Sequence, residues 1–319
     1  MLLWQNTCTN GYLKGGRIMA RWVRLCSINF HGQGSREANW HHVSQLLEQA
    51  LWDNPDLILL PETFTGLGMS ERDWFNTAEP PDGETVTRLS EIARQHRTHI
   101  ACPVLLKHRS TVYNAIVLLD RKGEIAGSYY KMFPTLGELS LGVAPGAQAT
   151  VIETDFGRVG FAICFDLNFR EVADDLHAKG AELVCFSSMY PGGMQLQHWA
   201  LEHHWWMLSA IGSPQGMLVD PLGRVRKAAQ PNYQPVLSAS VNLDCLVAHL
   251  DYNHDKLLQM KRDFGHEVEI DIVQPEARFL LTCHRKDTSV HELAQRYDLL
   301  LWDDYFRRAR HERSTRLTR

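Results

Sequence analysis

None of the seven cysteines (Cys8, Cys26, Cys102, Cys164, Cys185, Cys245, Cys283) forms a C-x-x-C pair. Their odd number and wide scatter argue against a disulfide framework or a zinc ribbon, and suit a reducing cytoplasm. No apolar run approaches the length of a membrane span, and the first residues lack the apolar block and small-residue cleavage site of a secretory signal. An excess of one charge is missing too. With 33 Lys and Arg against 37 Asp and Glu, the formal net charge is -4, which gives no reason to expect nucleic acid or an anionic membrane as partner. There is no internal repeat, no low-complexity tract, no His-Glu-x-x-His and no glycine-rich phosphate loop opening a helix in the C-terminal part. What remains is a 319-residue chain, 44% hydrophobic and 22% charged, able to bury a substantial core as one large domain or two smaller ones and suited to small-molecule chemistry.

Residues 1–19 read as a loose leader, polar and glycine-containing, with Met19 a candidate start of translation. From there strands and helices alternate. Trp22 to Phe30 predicts a first strand, and Trp40, Val43, Leu46, Leu47 and Ala50 recur at helical spacing over Ser35 to Leu51, with Ser35 as N-cap. The apolar run Asp56 to Glu62 has the texture of a strand covered on both faces, and it ends on a carboxylate. A helix over Thr85 to Gln95 is followed by strands at His99 to Leu105, Ala115 to Leu119 and Glu124 to Tyr130, the last ending on Lys131. Strands over Thr150 to Glu153 and Val159 to Ile163 then deliver Cys164. A helix over Phe169 to Lys179, a strand over Leu183 to Ser187, a helix over Gln195 to Trp206 and strands near Met207 to Ile211, Met217 to Val219 and Val236 to Val241 complete an α/β unit over 20–244. Residues 245–319 form a C-terminal extension: a strand-like stretch over Glu267 to Leu281 broken by Pro275, a short helix over Val290 to Tyr297, and a basic tail from Arg307 that reads as a solvated, frayed terminus.

Glu62, Lys131 and Cys164 each stand at the end of a predicted strand, where ligand sites gather in open α/β sheets. A carboxylate can take a thiol proton, an ammonium can hold an oxyanion and a thiolate can attack a carbonyl carbon, so together they can run acyl transfer. A helix starting just after Cys164 would further favour the thiolate. Taken singly each has an ordinary structural role open to it: Cys164 a small buried hydrophobe, Glu62 a surface acid, Lys131 a salt-bridge partner.

Leu59-Leu60-Pro61-Glu62, Tyr129-Tyr130-Lys131-Met132 and Gly160-Phe161-Ala162-Ile163-Cys164-Phe165-Asp166-Leu167 resemble the three motifs of the nitrilase, or carbon-nitrogen hydrolase, superfamily, in its order and approximate spacing. Glu37-Ala38-Asn39, Tyr113-Asn114, Pro145-Gly146, Ala200-Leu201-Glu202 and Asp220-Pro221-Leu222-Gly223 extend the resemblance over about Val23 to Asp244. It implies an αββα sandwich and hydrolysis of a small linear amide through a thioester on Cys164. Glu62 would be the general base, Lys131 the oxyanion holder together with the backbone amide of Phe165, and Glu138 a second glutamate supporting the lysine. It implies neither cofactor nor metal, and a homodimer or larger homo-oligomer, for which the extension is expected to pack on a neighbouring subunit.

Cys164-Phe165-Asp166 looks like the amidase and carbamoylase branches rather than the Cys-Trp-Glu of true nitrilases. Where many such relatives continue Arg-Phe-Pro-Glu, this chain has Asn168-Phe169-Arg170-Glu171, so a cation for a substrate carboxylate is missing or displaced. Phe133 replaces a histidine common after the lysine motif, and the loop Ile211 to Gly216 is short. Phe165, Asn168, Met189 and Tyr190 are the expected substrate contacts, with Ser187 and Ser188 beside them as pocket walls. His198, His203 and His204 lie on different helical faces and do not make a metal site; His41 and His42 read as a solvated pair. Acyl transfer to an amine, nitrile hydrolysis and a non-catalytic scaffold on the same fold are the competing functions. A glutamine-dependent synthetase would need a nucleotide-binding domain for which too few residues remain.

Overall fold

A computed structural model describes residues 20–317 apart from 213, 214 and 231; the expected leader lies outside the described residues. The first half runs β1 (Trp22–Ile28), α1 (Arg36–Leu51), β2 (Leu57–Leu59), α2 (Glu71–Phe75), α3 (Glu84–His96), β3 (His99–His108), β4 (Thr111–Leu119), β5 (Ile125–Tyr130) and α4 (Leu136–Ser140). There follow β6 (Val151–Glu153), β7 (Arg158–Ile163), α5 (Arg170–Ala178), β8 (Leu183–Ser188), α6 (Met194–His203), β9 (Trp206–Ile211), β10 (Met217–Val219), β11 (Val225–Ala228) and β12 (Val236–Asn242). The extension contains β13 (Cys245–His249), α7 (His254–Phe264), β14 (Val268–Val273), β15 (Arg278–Cys283), α8 (Val290–Arg296) and α9 (Trp302–Leu317).

Two six-stranded sheets, ordered β12-β1-β2-β3-β4-β5 and β11-β10-β9-β8-β7-β6, stack face to face. Leu25, Leu57, Ile116, Tyr129, Phe161, Ile163, Cys185 and Leu208 fill the space between them. The alternate residues of the first sheet, among them Cys26, Ile58, Ile100 and Val117, pack outward on α1 and α3. In the second sheet Ala162, Val184 and Met207 pack on α5 and α6. Alternation of side chains across a strand forces this division: a central strand apolar at every position must be covered on both faces, and the expected αββα sandwich is the result. Ser35 caps α1 by accepting from Ala38 N at 3.2 Å.

Several boundaries differ from expectation for local reasons. The helix expected to run to Trp206 stops at His203, because His204 turns left-handed at φ 62° and lets Trp206 open β9. Pro275 sits in the turn between two strands, β14 and β15, which pair antiparallel around it. The basic tail is not frayed: it continues as α9 to Leu317. Tyr305 stacks on His249 at 4.6 Å, while no residue of the helix is buried. The extension forms the sheet β13-β15-β14 with its own core of Phe279, Leu281, Val290, Leu293 and Met260. It meets the sandwich of the same chain through Leu222, Val247 and Leu280. Arg224 reaches across to Asp271 with Nη1–Oδ1 3.0 Å and Nη2–Oδ2 2.5 Å.

Candidate active site

β2, β5 and β7 end at one edge of the sandwich, and the residues following them converge there. Glu62 lies just beyond β2, before a tight turn that Thr63 enters at φ 39°. That turn is tied to α1 by Asn39, fully buried, whose Nδ2 donates to Thr65 O at 3.0 Å and to Leu67 O at 2.9 Å. Lys131 follows β5, with its backbone N–H on Asn114 O at 2.8 Å and its carbonyl on Gly146 N at 2.7 Å. A Cβ on Gly146 would come within 2.1 Å of Tyr130 O, so only glycine closes behind the lysine. Cys164 directly follows β7 at φ 46°. That left-handed geometry costs a non-glycine residue about 1 kcal/mol or more and is typical of functional corners.

The charged groups form one buried cluster. Lys131 Nζ lies 2.9 Å from Glu62 Oε1 and 3.1 and 2.8 Å from Glu138 Oε1 and Oε2. All three side chains are buried. Asn114 Nδ2 donates to Glu62 Oε1 and Glu138 Oε1, both at 2.7 Å, and the backbone N–H of Met189 donates to Glu62 Oε2 at 3.0 Å. Every partner named for Glu62 is a donor, which suits the carboxylate form. Glu138 is held by a capping box on α4, in which it accepts from Thr135 N at 2.7 Å while Thr135 Oγ1 accepts from Glu138 N at 3.2 Å. Burial alone would raise the Glu138 carboxyl, but the Lys131 charge and its hydrogen bonds hold it below its ordinary value. Burial likewise pulls Lys131 down, and the facing carboxylates Glu62 and Glu138 outweigh it, so the ammonium stays charged.

The Cys164 thiol behaves differently from the sequence expectation. α5 begins only at Arg170, and Cys164 opens a single 3-10 turn over Cys164–Asn168 instead, so the thiol does not face the N-terminus of α5. Burial and then the Glu62 carboxylate push it up to about 12, against the opposing Lys131 charge and a hydrogen bond with Ser188. At neutral pH Cys164 is a thiol that needs a base, and Glu62 is the neighbouring one.

A fully buried pair joins the two sides. Tyr129 Oη donates to Asp166 Oδ2 at 2.7 Å, and Asp166 also accepts from Ile163 N and Phe133 N, both at 2.9 Å. Tyr129 Oη in turn accepts from Met132 N at 3.2 Å. The segments on either side of Lys131 and Cys164 are thereby fixed to each other. Tyr129, Asp166 and Asn114 went unassigned from sequence, although all three lie in segments that carried the resemblance; a lone polar Asn114 ahead of the apolar run Ala115 to Leu119 was the available signal.

Phe165 is exposed in the turn after Cys164. Asn168 donates from Nδ2 to Phe165 O at 3.0 Å and accepts from Gln195 Nε2 at 2.9 Å. Met189 and Tyr190 follow β8, and burial first of all pushes the Tyr190 hydroxyl up to about 12, with the nearby Glu62 carboxylate adding to it and Lys131 and a hydrogen bond with Asn168 opposing it. Ser187 does not wall a pocket as expected: it is fully buried and donates across the sandwich to Leu60 O at 2.8 Å. Gly212, in the short loop, donates to Ser188 O at 2.8 Å and lies against Leu67 and Met189; part of that loop, 213 and 214, lies outside the described residues. Arg170 is directed away, pairing with Asp174 at 3.2 Å and Glu202 at 3.6 Å. His198 pairs with Glu202 at 3.2 Å, His203 stacks on Trp205 at 4.6 Å, and His204 packs edge-on against Trp302 at 5.2 Å.

The αββα sandwich thus brings a glutamate, a lysine and a cysteine together at three strand ends. The sequence pattern of the carbon-nitrogen hydrolase family matches residues 23–248, and the chain belongs to that family. Among similar proteins, the deaminated glutathione amidase of Rattus norvegicus is 26% identical over 241 residues, 64% of this chain and 71% of that protein. The NitFhit fusion protein of Drosophila melanogaster is 31% identical over 175 residues, 52% of this chain. The chain spans only 38% of that fusion protein and 60% of the Caenorhabditis elegans one. The crystal structure of Saccharomyces cerevisiae Nit3, of the nitrilase superfamily, superposes with a TM-score of 0.62 at 20% identity, covering 72% of this chain and 93% of that one.

Proposed function

We propose that the protein is an amidohydrolase that cleaves the C–N bond of a small linear amide through a thioester on Cys164. The observation that carries this is the Glu62–Lys131–Glu138 cluster beside a thiol that cannot ionise unaided. Glu62 takes the Cys164 proton as sulfur attacks the carbonyl carbon. The developing oxyanion is held by Lys131 and the backbone N–H of Phe165, and such donors are each worth about 3 to 4 kcal/mol in the transition state. The C–N bond breaks as the amine leaves with the proton from Glu62. Water, deprotonated by Glu62, then attacks the thioester; the C–S bond breaks and the thiol regains its proton. Glu138 and Asn114 keep the ammonium and the Glu62 carboxylate in register throughout.

Amidase names among the relatives, including the omega-amidase NIT3 of Saccharomyces cerevisiae at 23% identity, support amides over nitriles. Ammonia release from amides, with a thioester mass adduct that vanishes in Cys164→Ala, tests the reading; turnover persisting in that variant, or ammonia from nitriles alone, refutes it. The same reading places the enzyme in a cytoplasm and as a homo-oligomer in which the exposed α9 meets a neighbouring copy. Light scattering that gives the same oligomer size after truncation behind Asp244 would refute that role of the extension.

A further inference from the structure

Four of the exposed large apolar side chains lie in segments that carry or contact the catalytic cluster. Leu136 and Leu139, 81% and 44% exposed, lie on α4, the short helix that presents Glu138. Phe165, 36% exposed, directly follows Cys164, and Met189, 37% exposed, gives its backbone N–H to Glu62. Behind Phe165 the wall is aromatic. Phe133, two residues past Lys131, lies flat on Phe169 with ring centroids 3.7 Å apart and planes 6° apart, and Phe169 meets Phe165 edge-on at 5.1 Å. Phe165, backed by Phe169 and Phe133, and Met189 thus stand next to the reacting sulfur and its base, while Leu136 and Leu139 lie on the short helix that carries Glu138.

The charges near the sulfur are already committed. Glu62 and Lys131 are the charges that act on the Cys164 thiol, and they are bonded to each other and to Glu138. Arg170, six residues past Cys164, is turned toward Asp174 and Glu202. A substrate carboxylate seated among Phe165, Phe133 and Met189 would lose its water without gaining a cation, while adding a second negative charge near Glu62. An apolar group there gains contact with Phe165 and the aromatic wall behind it. The acyl part stays bonded to sulfur through both halves of the reaction, whereas the amine departs, so the walls next to Cys164 select the acyl part.

We propose that the acyl group of the substrate is uncharged and apolar, arylalkyl or medium-chain alkyl. This specificity rests on the amidohydrolase reading. It separates the chain from an enzyme whose amide substrates carry a carboxylate.

Ammonia release from phenylacetamide, hexanamide, propionamide and succinamate, assayed with the full chain, tests it. The expected result is a kcat/KM at least 100-fold higher for phenylacetamide or hexanamide than for succinamate. Phe165→Ala, which keeps the backbone amide, is expected to lower kcat/KM for phenylacetamide about tenfold more than for propionamide, mainly through KM. Equal or better use of succinamate overturns the proposal and leaves the amidohydrolase reading intact. No ammonia from any of the four, with no adduct on Cys164, removes that reading and the proposal with it. An apolar preference left unchanged by Phe165→Ala upholds the apolar acyl group and overturns the aromatic wall as its source.

Discussion

Replacing Glu62 by Gln should move two properties of Cys164 in opposite directions. In the native protein the thiol is pushed up to about 12, first by burial and then by the Glu62 carboxylate. At pH 8 about one thiol in 10⁴ is then ionised, against about one in four for a free cysteine near 8.5. The greater intrinsic reactivity of a more basic thiolate recovers part of that difference, leaving exchange with a small methanethiosulfonate about 50-fold slower than for free cysteine. The rate should also climb about tenfold per pH unit to pH 10 without a plateau. A neighbouring charge shifts an ionisable group by about 1 to 3 pH units, and for Cys164 that charge is Glu62. Its removal should therefore bring the midpoint down by about two pH units and speed modification at pH 8. Amide hydrolysis should meanwhile fall by about 10³-fold or more, because general-base assistance is gone. Modification is followed by mass spectrometry of the Cys164 peptide; Cys26, Cys102, Cys185 and Cys283 are buried and serve as internal references. A native midpoint at or below 8.5, or slower modification in Glu62→Gln, would refute this account of the thiol.

Glu138→Gln removes a charge-assisted partner of Lys131 but leaves Glu62, so a turnover loss of about 10²-fold is expected with a lowered melting temperature; unchanged turnover would exclude Glu138 from supporting the lysine. Tyr129→Phe deletes only the hydroxyl joining Asp166 to Met132. It should lower kcat about tenfold with KM within twofold, whereas Asn253→Ala, a buried amide lost from the extension, should cost stability and leave kcat unchanged. Burial raises the Asp166 carboxyl to about 6 against three hydrogen bonds. A raised carboxyl favours the folded state at low pH, where that state holds the proton, and the advantage is lost as pH rises through 6. Native stability should therefore lose up to about 3 kcal/mol from this group between pH 4 and pH 7, and urea midpoints should show a loss that Asp166→Asn lacks. An identical pH response in that variant would count against the assignment.

The α/β alternation was legible because its strands are short apolar runs bounded by turns and its helices carry an apolar stripe, signals that depend on neighbouring residues only, whereas the αββα sandwich came as what the family resemblance implies. The polar ends of three such runs, Glu62, Lys131 and Cys164, were legible for the same reason, and the spacing of their motifs marked the family. Boundaries set by single left-handed residues, such as His204, were not, because no periodicity encodes them. Nor was the helical tail, where composition reads as solvated and only the packing of Tyr305 on His249 shows how the helix is anchored. Sequence by itself determined which chemistry is present. Tertiary structure decided its state: that burial and Glu62 push the Cys164 thiol up and that it stands apart from the N-terminus of α5, that Asn114 bridges two carboxylates, that Tyr129 and Asp166 join the segments of Lys131 and Cys164, and that Arg170 pairs with Asp174 and Glu202. Each of these depends on the distance between residues remote in sequence, and burial and charge act through that distance.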